Sequence, residues 1–344
     1  MNSFFLALWI VDNAGACFGL FLNSFLLLAV YKTTDSKSRP YSYLFLTSAL
    51  FDIFYSLMEL TVQHQLLIKD GMFMVMPHGI EAQLDSWTYP WIMAPHAAFM
   101  IHSINILPAL CHYRYKLITS GSTVNPLLML RNICYATLAS ACLGALMGFS
   151  AYQASLRGYQ HYLALVTTEW FDDDGTTPFK YVCDMRDWGT VTFFYGGSVG
   201  ASIALCMAGV YTIRAWKAVS TQHSSERTRE LQRQFSRSLI AQTINAGIFA
   251  IFPIALAMIA MQWRLDGKMI GTAVMSPLSW LPSANAFLTI YLIKAYRRYA
   301  LRLICIKRLR ITTESTGRTW KSSSGVNGNS GKHMVSKIQG DIIV

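Results

Sequence analysis

Seven long apolar runs, separated by short polar segments, dominate the order of hydrophobic and polar residues along the chain. They lie near Phe4 to Tyr31, Tyr41 to Ile68, Tyr89 to Ile118, Ile133 to Gln153, Thr190 to Trp216, Phe235 to Trp263 and Met269 to Ile293. Each is close to or above the ~20 residues that cross a hydrocarbon core as a helix. In hydrocarbon the backbone must satisfy its own hydrogen bonds, so runs of this length predict helices. Pro108, Pro253 and Pro282 fall inside runs and are expected to kink helices, not to end them. The fold class this predicts is an all-α membrane protein, a seven-transmembrane helix bundle. The first run has no basic residue before it and is too long for a signal peptide, so it counts as a span.

The distribution of charge orients the bundle. Of the 29 Lys and Arg residues, an external N-terminus leaves only Lys69, Arg157, Lys180, Arg186, Arg264 and Lys268 outside. The rest lie on the cytoplasmic side, and the excess persists when the C-terminal tail is set aside. The N-terminus is therefore expected outside and the C-terminus inside. Composition agrees, with 53% hydrophobic and 14% charged residues, against roughly 25% charged in soluble domains. The net charge of +11 then reads as attraction to anionic membrane lipids, and no nucleic-acid partner is expected. The chain is expected to divide into a seven-transmembrane domain over 1–297, an interfacial amphipathic helix over 298–310 and a disordered cytoplasmic tail over 311–344. In the helix Leu301, Ile304 and Cys305 share a face beside Arg298 and Arg302, which makes Cys305 a candidate for lipidation. The tail is too polar to bury a core.

Catalytic chemistry leaves no mark. The seven cysteines and eight histidines show no metal-ligand spacing, and neither a phosphate-binding glycine motif nor a nucleophile elbow occurs. No enzyme, cofactor or metal is expected. The loop over 154–189 is acidic, with Glu169, Asp172, Asp173, Asp174, Asp184 and Asp187, and is expected to be a solvated external element. Asp52 and Glu59 are acids within the second run. Seven residues apart, they fall on one helix face, and with Asn23 and Asn285 they are expected to form a polar network inside the bundle. A ligand cavity between helices is expected in the outer half, with His96, Phe99, His102, Phe194, Tyr195, Met258 and Gln262 as candidate lining residues. Arg114 ends the third run, where it can reach the headgroups or a signalling partner. Arg229, Arg233 and Arg237, at four-residue spacing, mark an inward extension of the sixth helix.

Four stretches resemble nematode seven-transmembrane chemoreceptors of the Str/Srd type, which share the broad architecture of rhodopsin-like G-protein-coupled receptors. They are PLSWLPSANAFLTIYLIKAYRR (277–298), LQRQFSRSLIAQT (231–243), HYRY (112–115) and RPYSYLFLTSALFD (39–52). The resemblance implies a chemosensory receptor in the ciliary membrane of sensory neurons. Such a receptor binds a small odorant or peptide cue and activates a heterotrimeric G protein, which Arg114, Arg229, Arg233 and Arg237 would contact. The sequence departs from the wider rhodopsin-like pattern at three places. Tyr113 precedes Arg114 in place of an acid, Ala286 follows Asn285 in place of proline, and Cys183 lacks a cysteine partner at the start of the third run. The alternative is a seven-helix transporter or ligand-gated channel. Against it stand the absence of half-to-half similarity and of a charged ring or filter segment.

Overall fold

The computed structural model describes residues 3–35, 38–120, 125–156, 181–221, 226–265 and 270–303. Two compact units divide the chain at Met1–Arg297 and Arg298–Val344. The second is described only over 298–303, which is helical. Cys305, the rest of the expected interfacial helix, the tail and the acidic residues Glu169 to Asp174 lie outside the described residues.

The first unit is a seven-helix bundle: α1 is Ser3–Thr33, α2 Arg39–Val62, α3 Tyr89–Ser120 and α4 Pro126–Leu156. Helix α5 comprises Trp188–Val191, a π-helical turn Thr192–Gly196 and Gly197–Thr221. Helix α6 comprises Glu226–Ala246, a second π turn Gly247–Ile251 and Phe252–Gln262. Six of these helices are long and apolar enough, each as one helix, to cross a membrane. The seventh span, α7, is interrupted at Ser276 between Ile270–Met275 and Pro277–Leu292, so neither piece crosses by itself. The helix continues past Pro108 and Pro282, while Pro253, which has no N–H to donate, is the second residue after the π turn of α6.

Helix α3 is the most buried span. It packs on α2, α4, α5 and α6, while α1 packs on α2 and α7. Small residues allow the closest of these approaches. A Cβ on Gly144 would stand 2.3 Å from the Ala94 carbonyl oxygen, and one on Gly148 2.6 Å from that of Pro90. This is the close backbone packing that a four-residue glycine spacing permits in membranes. Gly15 and Gly19 do the same for α1 against Ser279 of α7 and Ser56 of α2.

The second span is shorter than the sequence pattern implies. Helix α2 stops at Val62, capped by Gln63 in the left-handed conformation with φ 50°. The apolar residues beyond it form a hairpin, β1 His64–Lys69 and β2 Met72–Pro77, to which β3 Tyr181–Asp184 adds antiparallel in the order β1-β2-β3. Asp70 (φ 46°) and Gly71 (φ 78°) turn the hairpin, and positive φ at both central residues is what a tight hairpin of this hand requires. All six residues of β2 are buried. Leu66 of β1 is tied to α7, its N–H donating to Thr272 Oγ1 and its carbonyl accepting from the same hydroxyl, both at 2.9 Å. The sheet thus roofs one end of the bundle. Asp184 and Asp187, expected on a solvated loop, are both buried because β3 draws them under this roof. Cys183, also in β3, is buried as a free thiol beside Met147, and burial pushes it up to about 12.

Candidate functional site

Beneath the sheet lies a cavity of about 210 Å³. Leu66 and Phe73 of the hairpin form part of its roof, and Met93, Ala97, Ile101 and Ile104 of α3 form one wall. Phe193 and Phe194 sit edge to face in the π turn of α5, with ring centroids 5.1 Å apart at 83°. Ile251, which ends the π turn of α6, faces the same space. A π turn adds one residue to a helical turn and rotates the side chains that follow, and such turns recur at functional sites. Here both π turns deliver apolar side chains to one cavity.

The polar groups of the cavity come from α1, α2, α3, α5, the hairpin and α7, with Ser198 and Ser202 as the α5 contribution. Glu59 Oε1 and His96 Nε2 are 3.0 Å apart, and the His64 ring meets that of His96 edge on at 4.9 Å between centroids. Behind His64, Glu81 lies 2.9 Å from its Nε2. Burial pushes the Glu81 carboxyl up to about 7 and holds the His64 imidazole well below its ordinary value, so both shifts favour a neutral hydrogen-bonded pair over ions. Asp12 of α1 also faces the cavity, and its Oδ1 accepts from the hydroxyls of Ser276 and, at 3.5 Å, Ser279. Ser276, after which Pro277 leaves a gap in the hydrogen-bond ladder of α7, therefore stands at the cavity wall.

Of the residues expected from sequence to line a cavity, the structure brings His96 and Phe194 to this one. Phe99 stacks on Phe54 at 6.0 Å, toward the lipid face of α2, and His102 lies against Phe51 at 3.9 Å. Both follow from the 100° turn per residue that carries them round α3 from His96. The Tyr195 hydroxyl donates to Gln262 Oε1 at 2.8 Å, an exposed pair linking α5 to α6. Met258 lies just behind the wall, where its sulfur accepts from Ser198 at 2.9 Å. Sequence reasoning missed His64 and Phe73, for which the Asp70-Gly71 turn signal was the available clue, and it missed Phe193.

The polar residues deeper in the bundle divide into separate groups. Asn285 Nδ2 donates to Asp52 Oδ2 at 3.3 Å, and Asn245 Nδ2 of α6 donates to Asn285 Oδ1 at 2.8 Å. Asn23 donates instead to the carbonyls of Gly19 and Pro282, at 2.9 and 3.1 Å. Glu59 belongs to the cavity. Asn245, which the sequence reading did not single out, joins α6 to this network.

At the opposite end, Arg114 is fully buried. Its Nη2 donates to the Gln232 carbonyl at 3.2 Å and to the Ser236 hydroxyl, fastening α3 to α6. An arginine reaching for headgroups would be exposed, so the lipid-anchoring role does not describe this side chain. Arg233 and Arg237 are exposed one turn apart on the end of α6, and Arg229 is half-buried.

A bundle of seven spans, a cavity at one end and a fastened pair of helices at the other define the architecture of a serpentine receptor. The family described as serpentine type 7TM GPCR chemoreceptor Str matches residues 9–301. The chain belongs to this family. No curated protein is similar enough to count as a match.

Proposed function

We propose that this chemoreceptor binds a small, largely apolar molecule in the cavity under the sheet and activates a heterotrimeric G protein at the Arg114 end of α3 and α6. The observation that carries the reading is the cavity itself. At about 210 Å³ it falls below the roughly 300–1,000 Å³ of sites for drug-sized ligands. A volatile-sized odorant fits that space and a peptide does not. The basic residues assign the sheet to the outside, where a cue would arrive, and they assign Arg114, Arg229, Arg233 and Arg237 to the cytoplasm. The ciliary membrane of sensory neurons is the location this role calls for.

The test is expression of the full chain with a G-protein biosensor and a conductance recording in the same cell, under a panel of volatile probes. Ligand-dependent G-protein activation without current is the expected result, with an N-terminal tag accessible on intact cells. A ligand-gated current without G-protein activation, or an N-terminal tag reached only after permeabilisation, would overturn the reading.

A further inference from the structure

The cavity is apolar along most of its wall, and its charge is unbalanced at one place. Glu59 is matched by His96, and Glu81 by His64. Asp12 has no such match. Its two hydrogen bonds come from the hydroxyls of Ser276 and Ser279, and both go to Oδ1. Oδ2 takes none. No Lys or Arg is among the described residues that line the cavity.

A second unpartnered polar atom lies on α3, behind the surface of another wall of the cavity. His96 is 7% exposed, its Nε2 is engaged by Glu59, and its Nδ1 is buried with no hydrogen-bond partner. Leaving such an atom unsatisfied costs about 1–3 kcal/mol. An open carboxylate oxygen at the edge of an aromatic cavity matches a particular ligand shape. It has a compact apolar body and one head that donates hydrogen bonds and carries positive charge.

We infer that the cavity selects small primary or secondary amines, with the ammonium head donating to Asp12 Oδ2 and the hydrocarbon body lying against Phe193, Phe194 and Ile101. This rests on the proposed ligand-binding role of the cavity and names the chemical class it takes. An alcohol supplies a donor without the charge, a ketone supplies neither, and a carboxylate is repelled by Asp12. The ranking follows from the charge-assisted hydrogen bond, which contributes more than a neutral one. Ser276 and Ser279 act as positioning residues by holding Oδ1 and turning Oδ2 to the ligand.

The experiment uses the purified full chain in lipid nanodiscs. Thermal stabilisation and G-protein activation are titrated with cyclohexylamine, cyclohexanol, cyclohexanone and cyclohexanecarboxylate, and with the corresponding straight-chain series. The amines should bind roughly ten- to a hundredfold more tightly than the alcohols, and the carboxylates should not bind. Asp12→Asn should abolish the preference for amines while retaining the alcohols, and Asp12→Glu should restore part of it. Both variants are first checked for surface expression and for the melting temperature of the unliganded protein. Equal binding of amines and neutral analogues, amine binding that survives Asp12→Asn, or no amine effect at all would overturn the inference. Ala97→Phe, which fills the cavity, separates this from failure of the parent reading. If neutral probes bind and lose binding in Ala97→Phe, the cavity remains the ligand site. If probe binding is untouched by Ala97→Phe, the cavity is not the site and both readings fall.

Discussion

Asp52 illustrates what a single buried residue commits the fold to. An acid deep in a span is expensive unless it is partnered, so its presence in the second run already required a polar neighbour. Asn285 meets that need, and Asn245 extends it to α6. Asp52→Ala removes the acceptor and leaves the Asn285 amide buried without it, at a cost of about 1–3 kcal/mol. Asp52→Asn keeps the shape and an oxygen that can accept. Purified receptor should therefore melt at clearly lower temperature for Asp52→Ala and close to wild type for Asp52→Asn; equal melting of the two would mean that the bond contributes little. The Asp52–Asn285 pairing was legible because physical cost forces it. The Asn245 link was not, because an Asn in an apolar run does not reveal which way its helix is turned. Arg114 misled for a related reason. Proximity to a helix end suggests exposure, yet acceptors contributed by α6 bury it, and no local pattern in the third run encodes them.

At the level of elements, the number and order of spans could be read from apolar runs alone, because hydrocarbon thickness sets their length. The hairpin could not be separated from α2 in this way. Leu66 to Ile68 and Phe73 to Met76 are apolar on every residue, which suits a fully buried strand as well as the end of a buried helix. Only Asp70-Gly71 distinguishes the two, and the apolar run continues to Ile68, past the true helix end at Val62. The π turns were equally hidden, since one extra residue in a turn leaves an all-apolar helix all apolar. Glycine roles are visible only with the neighbours in place. Gly144 meets the Ala94 carbonyl, whereas a Cβ on Gly209 of α5 would find nothing within 4 Å. Gly144→Leu should force α3 and α4 apart and sharply reduce surface expression and melting temperature, overpacking of this kind costing about 1–3 kcal/mol or more. Gly209→Leu should leave both near wild type. Comparable losses in the two variants would show that close helix packing is not what Gly144 supplies.

Across the whole molecule, α3 and α6 both reach from the cavity to the clasp, and α6 is the one with a bend between them. Ile251, Ile254 and Ala255 line the cavity, while Gln232 and Ser236 hold Arg114. Residues 236 and 251 stand about 22 Å apart along a helix rising about 1.5 Å per residue. Between cavity and clasp lies the π turn Gly247–Ile251, with Pro253 two residues after it, the places where a helix bends most easily. A ligand can shift the equilibrium of such a helix only by its differential contact with two arrangements. Under the proposed coupling, the fastened arrangement seen here is the resting one, and a G protein would have to compete with it. Ser236→Ala removes one charge-assisted bond, of about 1.5–3 kcal/mol, while leaving the Arg114 side chain in place. Ligand-independent G-protein activation should rise roughly tenfold or more at equal surface expression, because 1.4 kcal/mol is a factor of ten in population. Arg114→Ala, which removes the clasp and the arginine together, should combine the loss of restraint with a lower maximal response. Basal activity unchanged in Ser236→Ala would mean that the Arg114 clasp does not hold the resting state, and that α3 and α6 are kept together by the Phe45–Phe235 and Tyr41–Phe235 ring contacts through α2 instead.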